Sequence, residues 1–532
     1  MAYMHPCTAS KLIRQTKYYV NLVALVLIFL PVSGYSCAPE EIPKFSLLQA
    51  IAYMLANQPE VEISALNIDA QEGIVRSKAG PFDPVFNGSL DYTEMENLQS
   101  AAFMLKTSKQ GHELVGFVEG QKKTRLGTVF SLSTKLEQVD NHFIYPRSAN
   151  IGTITFQLEQ PLLRDFICGQ DTVNEIAARL ELSAVMFDNL QTISQQILNT
   201  TVQYWEVLAI QKQLVINQEA EIRIGKLTDE IQKLIKEDQL ARSDIVQPLA
   251  QIERQQLIGI QLEQDLYSAI QTLKLILGNI EFCANDSDKI ILTDDFPPIK
   301  LEVRKFENLA HCLINYATVN RYDIRASMIR EDVFDILKKG AYNQTLPQVN
   351  LRGGVSTMDF TLGGKAEPFF KPLELKRPQT NWSVGIIVSV PLYNDAAEGT
   401  LQLRTAQKSQ SKLRTQLLIQ STIRDLRSAI LNQLNLAKEL DKANALVRLN
   451  NTLIVNERKK LLEGFSTLFV LLDFENRYTQ SLRDQVAISK QYLQNIAQIR
   501  FLTSTLLNAD VDCLNAIELA DITSLPEFYK EG

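Results

Sequence analysis

The sequence predicts a mostly α-helical membrane protein of α+β class that contributes β-strands to a barrel, and three observations lead to this fold class. Two long stretches lack proline and carry apolar residues at three- and four-residue spacing, which is typical of coiled-coil helices. Four segments alternate apolar and polar side chains, as strands with one apolar face do. The same order of elements occurs twice, which indicates two internal repeats.

The N-terminus has the layout of a secretory signal peptide. Lys11, Arg14 and Lys17 precede an apolar run over 18–30, and small residues follow up to Ser36. We therefore expect residues 1–36 to be a cleaved leader. Cys37 would then begin the mature chain, so lipidation of its thiol is an alternative to an unmodified cysteine.

Composition excludes several classes of protein. The 532-residue chain is 45% hydrophobic and 22% charged, which is typical neither of disordered chains nor of bundles of membrane helices. Its formal net charge of −7 argues against a nucleic-acid partner. The chain carries no nucleophile elbow, phosphate-binding loop or paired metal motif, so we expect no enzyme activity, cofactor or bound metal.

The remaining cysteines have no metal-ligand spacing. They are spread along the mature chain, and we expect buried thiols, with one disulfide as the alternative in an oxidising compartment; they are Cys168, Cys283, Cys312 and Cys513.

The repeats define the predicted domain organisation. Asn57 and Pro84 have the same separation as Asn320 and Pro347, so the register holds across a helix and a strand. We expect a first repeat over 37–300, a second repeat over 301–510 and a C-terminal tail over 511–532. Each repeat would contain a helix, two barrel strands and a long helical hairpin.

Each repeat supplies two predicted strands, and the second strand ends in a Pro-Leu pair that leads into a helix. These strand-to-helix turns are Pro161-Leu162 and Pro391-Leu392. The first repeat holds an insertion over 95–150, in which 127–138 also alternates. This insertion is either additional strands or an outer hairpin, or it is a surface loop.

Strands inside a bilayer must pair all their backbone groups, so a barrel has to close. Four strands cannot close, because the smallest barrels need about eight. Several copies of the chain must therefore combine their strands if these lie in a membrane.

The doubled plan resembles the TolC-like outer membrane factors over nearly the whole mature chain. "EQPLLRDF" and "SVPLYNDAAEG" resemble the strand-to-helix turns of that family. "QLARSDIVQPLAQIE" and "EGFSTLFVLLDFENR" resemble its two helix reversals. The resemblance implies a homotrimer in the outer membrane with a twelve-stranded barrel, four strands from each chain, and a helical tube extending into the periplasm.

The resemblance also implies a function and its partners. Such proteins are exit ducts of tripartite efflux pumps or of type I protein secretion, and they dock onto a periplasmic adaptor and an inner-membrane transporter. Docking would use the two helix reversals, or these residues are plain turns; they are Leu240, Ala241, Arg242, Ser243, Gly464, Phe465, Ser466 and Thr467. Cargo and transporter stay open.

Two carboxylates match acidic positions with which some relatives narrow the pore. Asp473 matches one of these acidic positions, although Val470 stands three residues earlier, where such relatives have a second acid. Asp244 matches the acidic residue at the start of the other returning helix. Symmetry-related carboxylates in a narrow mouth would attract cations, whereas Asp244 can instead cap its helix. Pro248 departs from the family pattern, and we expect a lengthened turn there. A secreted or periplasmic coiled-coil structural or adhesive protein is the alternative to a channel.

Overall fold

The computed structural model describes residues 44–97, 109–140, 149–237, 241–278, 290–297, 306–362, 369–507 and 524. The leader, Cys37, Leu240 and nearly all of the tail lie outside these residues. In chain order the elements are β1 (Lys44–Phe45), α1 (Leu47–Asn57), α2 (Pro59–Ala79), β2 (Val85–Asn97), β3 (Lys109–Lys123), β4 (Val129–Asp140), β5 (Ala149–Pro161), α3 (Gln170–Lys236), α4 (Val246–Ile276), β6 (Ile291–Leu292), α5 (Phe306–Asn320), α6 (Tyr322–Gln344), β7 (Gln348–Leu362), β8 (Gln379–Ser389), α7 (Asp395–Leu462) and α8 (Leu468–Leu502).

The predicted long helices are present. α3 has 67 residues and α7 has 68, and both run through the stretches without proline. α4 and α8 follow them with 31 and 35 residues. Within the described residues, no helix combines the length and apolarity needed to cross a membrane.

The chain divides into two compact units. Unit 1 comprises the described residues within Met1–Ala65, Asn189–Tyr322 and Ile419–Gly532, and unit 2 comprises those within Leu66–Asp188 and Asp323–Leu418. The boundaries expected between the two repeats and before the tail fall outside the described residues, so the division into 37–300, 301–510 and 511–532 stays a prediction.

Unit 1 has a hydrophobic core in which α1 packs on α3. Ser46 caps α1 through a capping box with Gln49, and Leu47, Ile51 and Met54 on one helix face are almost fully buried. The hydroxyl of Tyr204 in α3 donates to a carboxylate oxygen of Asp294 at 2.9 Å, and the Leu47 amide donates to the same oxygen at 2.8 Å. Burial raises the pKa of Tyr204 above its ordinary value.

Unit 2 contains one antiparallel sheet in the order β2-β3-β4-β5-β7-β8. The four predicted strands are β2, β5, β7 and β8. The expectation of only four strands in each chain is wrong, because the insertion over 95–150 adds β3 and β4 to the same sheet between β2 and β5. The alternation over 127–138 therefore marks a strand.

Two cysteines differ from expectation. Cys168 and Cys312 are exposed free thiols, so the prediction of buried cysteines is wrong for both. Cys283 and Cys513 lie outside the described residues.

Candidate functional site

The first helix reversal lies in unit 1 between α3 and α4. Ala241 has extended backbone geometry, and a short 3₁₀ helix over Arg242–Ile245 follows it. The Asp244 amide donates to the Ala241 carbonyl at 3.0 Å, and the Ser243 hydroxyl donates to the Asp244 carboxylate at 3.3 Å. Asp244 therefore lies in the turn itself, before α4 begins.

Pro248 fits this arrangement without breaking a helix. α4 starts at Val246, so Pro248 lies in the first turn, where an amide has no partner within the helix. A 3₁₀ helix directly precedes α4, and the lengthened turn expected from the sequence stays a prediction. Pro248 is also buried.

The second reversal, between α7 and α8, is a tight turn that requires glycine. Gly464 has φ +79°, in the left-handed region. The Phe465 amide donates to the Lys460 carbonyl at 2.8 Å, and the Gly464 amide donates to the Leu461 carbonyl at 3.1 Å. These bonds satisfy carbonyls at the end of α7, as in a Schellman motif.

A charged contact braces this second turn. The Ser466 hydroxyl donates to a Glu457 carboxylate oxygen at 2.5 Å, and the Lys460 ammonium donates to the other at 3.0 Å. These hydrogen bonds, first that of Ser466, lower the pKa of Glu457. Thr467 precedes α8 and makes no side-chain cap bond. Phe465 projects from this rigid turn with 81% of its surface exposed.

Both reversals lie against one small apolar cluster of unit 1. Its buried members come from α3 and α8, and partly buried Ile245 and Leu461 bring in the two turns; the buried members are Ile224, Leu227, Ile231, Leu468, Leu471 and Leu472. An ion pair between Arg458 and Glu230 also joins α7 to α3. The described parts of the two reversals thus share one packed base.

The two candidate pore carboxylates have different surroundings. Asp473 lies in the second turn of α8 and accepts from the guanidinium of Arg477 at 2.7 Å, with 40% of its side chain exposed. The same guanidinium lies 5.6 Å from the centre of the Phe474 ring. Asp473 is therefore an ion-paired carboxylate rather than an isolated one.

A band of partly buried polar contacts joins α3, α4 and α8, and sequence reasoning did not find it. Arg223 donates to Glu475 and to Thr479, both at 3.1 Å. Arg483 donates to Asn217 at 2.6 Å and to Gln255 at 3.0 Å, and burial lowers its pKa. The sequence feature that could have predicted this band is the occurrence of polar residues at helix positions where the coiled-coil pattern calls for apolar ones.

A groove opens beside this band between α4, α7 and α8. Its volume is about 590 Å³, and Arg254, Arg477 and Arg483 line it together with Asp484. Within the described residues, no group of three or more His, Cys, Asp or Glu side chains is arranged to hold a metal ion.

The two strand-to-helix turns in unit 2 differ in their exposure. Pro161 is buried, and the Leu162 amide donates to the Val349 carbonyl at 2.8 Å. Pro391 is exposed, and Leu392 and Tyr393 after it are 96% and 86% exposed. The first turn is therefore tied to the sheet, whereas the second presents a bare apolar surface.

Comparisons with known proteins agree with this architecture. Residues 313–505 match the family model described as outer membrane efflux protein. The outer-membrane channel OprN superposes with TM-score 0.61 at 13% identity, over 88% of this chain and 98% of that chain. The outer membrane protein VceC of Vibrio cholerae gives TM-score 0.60 at 14% identity, over 86% and 96% of the two chains.

A third structure, the CmeC outer membrane channel of Campylobacter jejuni, gives TM-score 0.60 at 12% identity, over 90% of this chain and 93% of that chain. No curated protein matches the chain in sequence. The resemblance inferred from the sequence is confirmed at the level of the fold: the chain is mostly helical with a smaller share of strand, and it has the fold of these outer membrane channels over most of its length. The closed barrel and the two internal repeats stay predictions. The matched family consists of channel proteins rather than enzymes.

Proposed function

We propose that this chain, whose residues 313–505 match the family model described as outer membrane efflux protein, is the outer membrane duct of a tripartite export assembly. It acts as a homotrimer that spans the outer membrane, extends into the periplasm, and conducts cargo passively without catalysing a reaction. Its partners are a periplasmic adaptor and an inner-membrane transporter. Drug, metal and protein export all fit this assignment.

One observation carries the channel proposal: the sheet of unit 2 is apolar on one face and hydrophilic on the other, and the apolar face is exposed. On β8, Trp382 is 80% exposed, Val384 68% and Ile386 65%. A water-soluble domain buries such a face, whereas a barrel turns it to lipid and encloses a polar lumen. The alternative of a secreted coiled-coil adhesive protein gives no reason for this face.

Membrane extraction and bilayer recording test the channel. We expect the protein in the outer membrane fraction, a trimer on chemical cross-linking in detergent, and discrete conductance steps in planar bilayers. A soluble monomer in the periplasm or outside the cell would refute the duct and favour the adhesive protein.

The reversals supply the surface for the adaptor. Phe465 combines near-complete exposure with a backbone fixed by Gly464, so an aromatic side chain is presented to a partner at little entropic cost. Arg242 and Ser243 on the other reversal are exposed polar neighbours of the same packed base.

A matched pair of substitutions tests this docking surface. Phe465→Ser should reduce co-purification of the adaptor at least tenfold, which corresponds to about 1.4 kcal/mol. Phe370→Ser removes a phenylalanine of similar exposure, 66%, from a loop of unit 2 and should leave co-purification unchanged. Equal effects of the two substitutions would reject the assignment of docking to the reversals while leaving the conductance test untouched.

A further inference from the structure

The hairpin of β3 and β4 is a full part of the sheet rather than an appendage. β3 pairs with β2 from Val85 to Asn97, and β4 pairs with β5 from Val129 to Val139. Both new ladders are about as long as the ladder between β5 and β7. The hairpin therefore separates β2 from β5 along their whole length.

The apolar face continues across all six strands. One row of paired residues runs Phe86, Gly120, Leu132, Phe156, Val355, Trp382. Exposure of the large side chains in this row ranges from 47% to 80%. Gly120 leaves room for the Phe86 ring, because a Cβ atom at its position would lie 2.9 Å from that ring and the ring would have to move.

The next row lies on the opposite face and is polar in every strand: Asn87, Glu119, Ser133, Thr155, Ser356, Asn381. Since successive residues of a strand point to opposite faces, these two rows show that β3 and β4 share the amphipathic register of the other strands. A hairpin lying outside a barrel has no reason to keep that register.

Charged contacts hold the inner turn of the hairpin to the start of α3. The Lys123 ammonium lies 2.8 Å from the Asp171 carboxylate, and the Arg125 guanidinium donates to both oxygens of Glu175, at 2.7 and 2.9 Å. Gly127 has φ +88°, and a Cβ atom there would lie 2.3 Å from the Asp165 carbonyl oxygen. The turn is thus built against the strand-to-helix junction.

The two outer strands of the sheet have free edges. β2 and β8 each pair on one side only among the described strands, and every residue of β8 is exposed. An antiparallel sheet with an even number of strands has outer strands that run in opposite directions, so β8 of one copy can pair antiparallel with β2 of the next. Unpaired edges do not persist in a bilayer.

We propose that three copies of this chain close a barrel of eighteen strands, six from each chain, instead of the twelve expected from the family resemblance. This proposal rests on the proposed channel function. The partner of each free edge is a second copy of the same chain, and the row from Phe86 to Trp382 forms part of the lipid-facing surface.

The additional strands change the width of the duct. With strands about 4.8 Å apart and tilted by about 40°, twelve strands give a circumference of about 75 Å, and eighteen give about 113 Å. The backbone diameter rises from about 24 Å to about 36 Å by the same geometry. The area enclosed by the barrel backbone roughly doubles, so the barrel would admit bulkier cargo.

A pair of engineered disulfides in the full-length trimer tests the order of the strands. Ser133→Cys with Thr155→Cys places thiols on directly paired residues of β4 and β5, where the Cα separation suits a disulfide. Asn87→Cys with Thr155→Cys uses the same row, but β3 and β4 lie between, about 14 Å across three strand spacings. Peptide mass spectrometry after mild oxidation identifies each disulfide and distinguishes it from bonds made by native thiols.

The proposal expects a disulfide within one chain for the first pair and none for the second. Two results overturn the proposal. One is a disulfide in the variant that carries Asn87→Cys and Thr155→Cys. The other is the absence of a disulfide in the variant that carries Ser133→Cys and Thr155→Cys. Electron cryo-microscopy of the trimer in a lipid nanodisc should resolve eighteen strands, and any other number also refutes it. If the trimer has another number of strands but still conducts, the proposed channel function stands. If the first pair forms its disulfide and the second does not, but the protein does not conduct, the channel function is rejected and the six-stranded sheet is kept.

Discussion

Replacing Glu175 with glutamine should loosen the inner turn of the inserted hairpin. Only 2% of the Glu175 side chain is exposed, and its two oxygens accept from Arg125 and, at 2.5 Å, from Arg179. A glutamine keeps one acceptor oxygen and turns an amide N–H towards a guanidinium, so at least one charged hydrogen bond is lost. The structure of the turn otherwise stays the same.

The magnitude follows from that lost bond. A hydrogen bond to a charged group contributes about 1.5–3 kcal/mol. Both arginines are more than half exposed, which weakens the pair by solvent screening, so we expect a loss of about 2 kcal/mol in the free energy of local opening. Such a loss raises the population of the open turn about 30-fold.

Limited trypsin digestion measures this opening, because Lys123 and Arg125 lie at the turn. When reclosing is fast, the cleavage rate follows the open population, so the variant should be cut about 30-fold faster. The control variant Glu219→Gln carries the same change at an exposed position of α3, and trypsin should cleave its hairpin turn at the wild-type rate. A rise below threefold in the Glu175 variant would contradict the reasoning.

The pH dependence gives a second readout of the same contact. The hydrogen bond from Arg125 holds the pKa of Glu175 below its ordinary value of 4.5. The carboxylate therefore contributes stability that is present above pH 4.5 and is lost as pH falls through the lower folded-state pKa. Cleavage of the wild type by an acid-active protease should accelerate over that fall, whereas the glutamine variant should show no such step.

Three further substitutions test the second helix reversal, the candidate pore carboxylate Asp473 and the packing of unit 2. Gly464→Ala forces a left-handed backbone on alanine and should cost about 1 kcal/mol, read as a lower denaturation temperature, whereas Gly464→Asn should cost less; equal costs would contradict a backbone cause. Arg477→Gln frees the Asp473 carboxylate and should raise cation selectivity in planar bilayers, while Asp473→Asn should not; unchanged reversal potentials in the arginine variant would exclude Asp473 from the constriction. Arg330→Lys replaces the guanidinium that contacts both Asp188 and Glu181, and it should lower the free energy of unfolding of unit 2 by about 1 kcal/mol in denaturant titration. An unchanged free energy of unfolding would indicate that solvent screens these ion pairs completely.

The sequence could predict those elements whose periodicity is strong. β8 has an apolar residue at every second position from Trp382 to Val388, and α3 and α7 contain no proline. β3 was missed because glycines at 111, 116 and 120 interrupt its alternation and because glycine is depleted in strands. Its apolar face is visible only when the register with β2 is known, since Gly120 makes room for the Phe86 ring.

The candidate site was predictable to a different extent. Glycine near the end of a long helix marks a turn, so the reversal at Gly464 could be placed. The four-residue spacing of Asp473 and Arg477 on a helix is the pattern of an i,i+4 ion pair, so this contact could have been predicted from the sequence. The contact between Arg125 and Glu175 joins residues 50 positions apart, and no local pattern encodes it.

The bare surface at Leu392 and Tyr393 has a consequence for biogenesis. In the proposed trimer, a subunit that has not yet met its copies would carry these side chains in water beside an unpaired strand edge, which is the combination that drives intermolecular aggregation. If the protein is exported and assembled as proposed, the interval between these two steps is the stage at which it is most prone to aggregate. Overproduction that outpaces encounter between subunits should yield deposits instead of inserted protein, and escort by a periplasmic chaperone should relieve it.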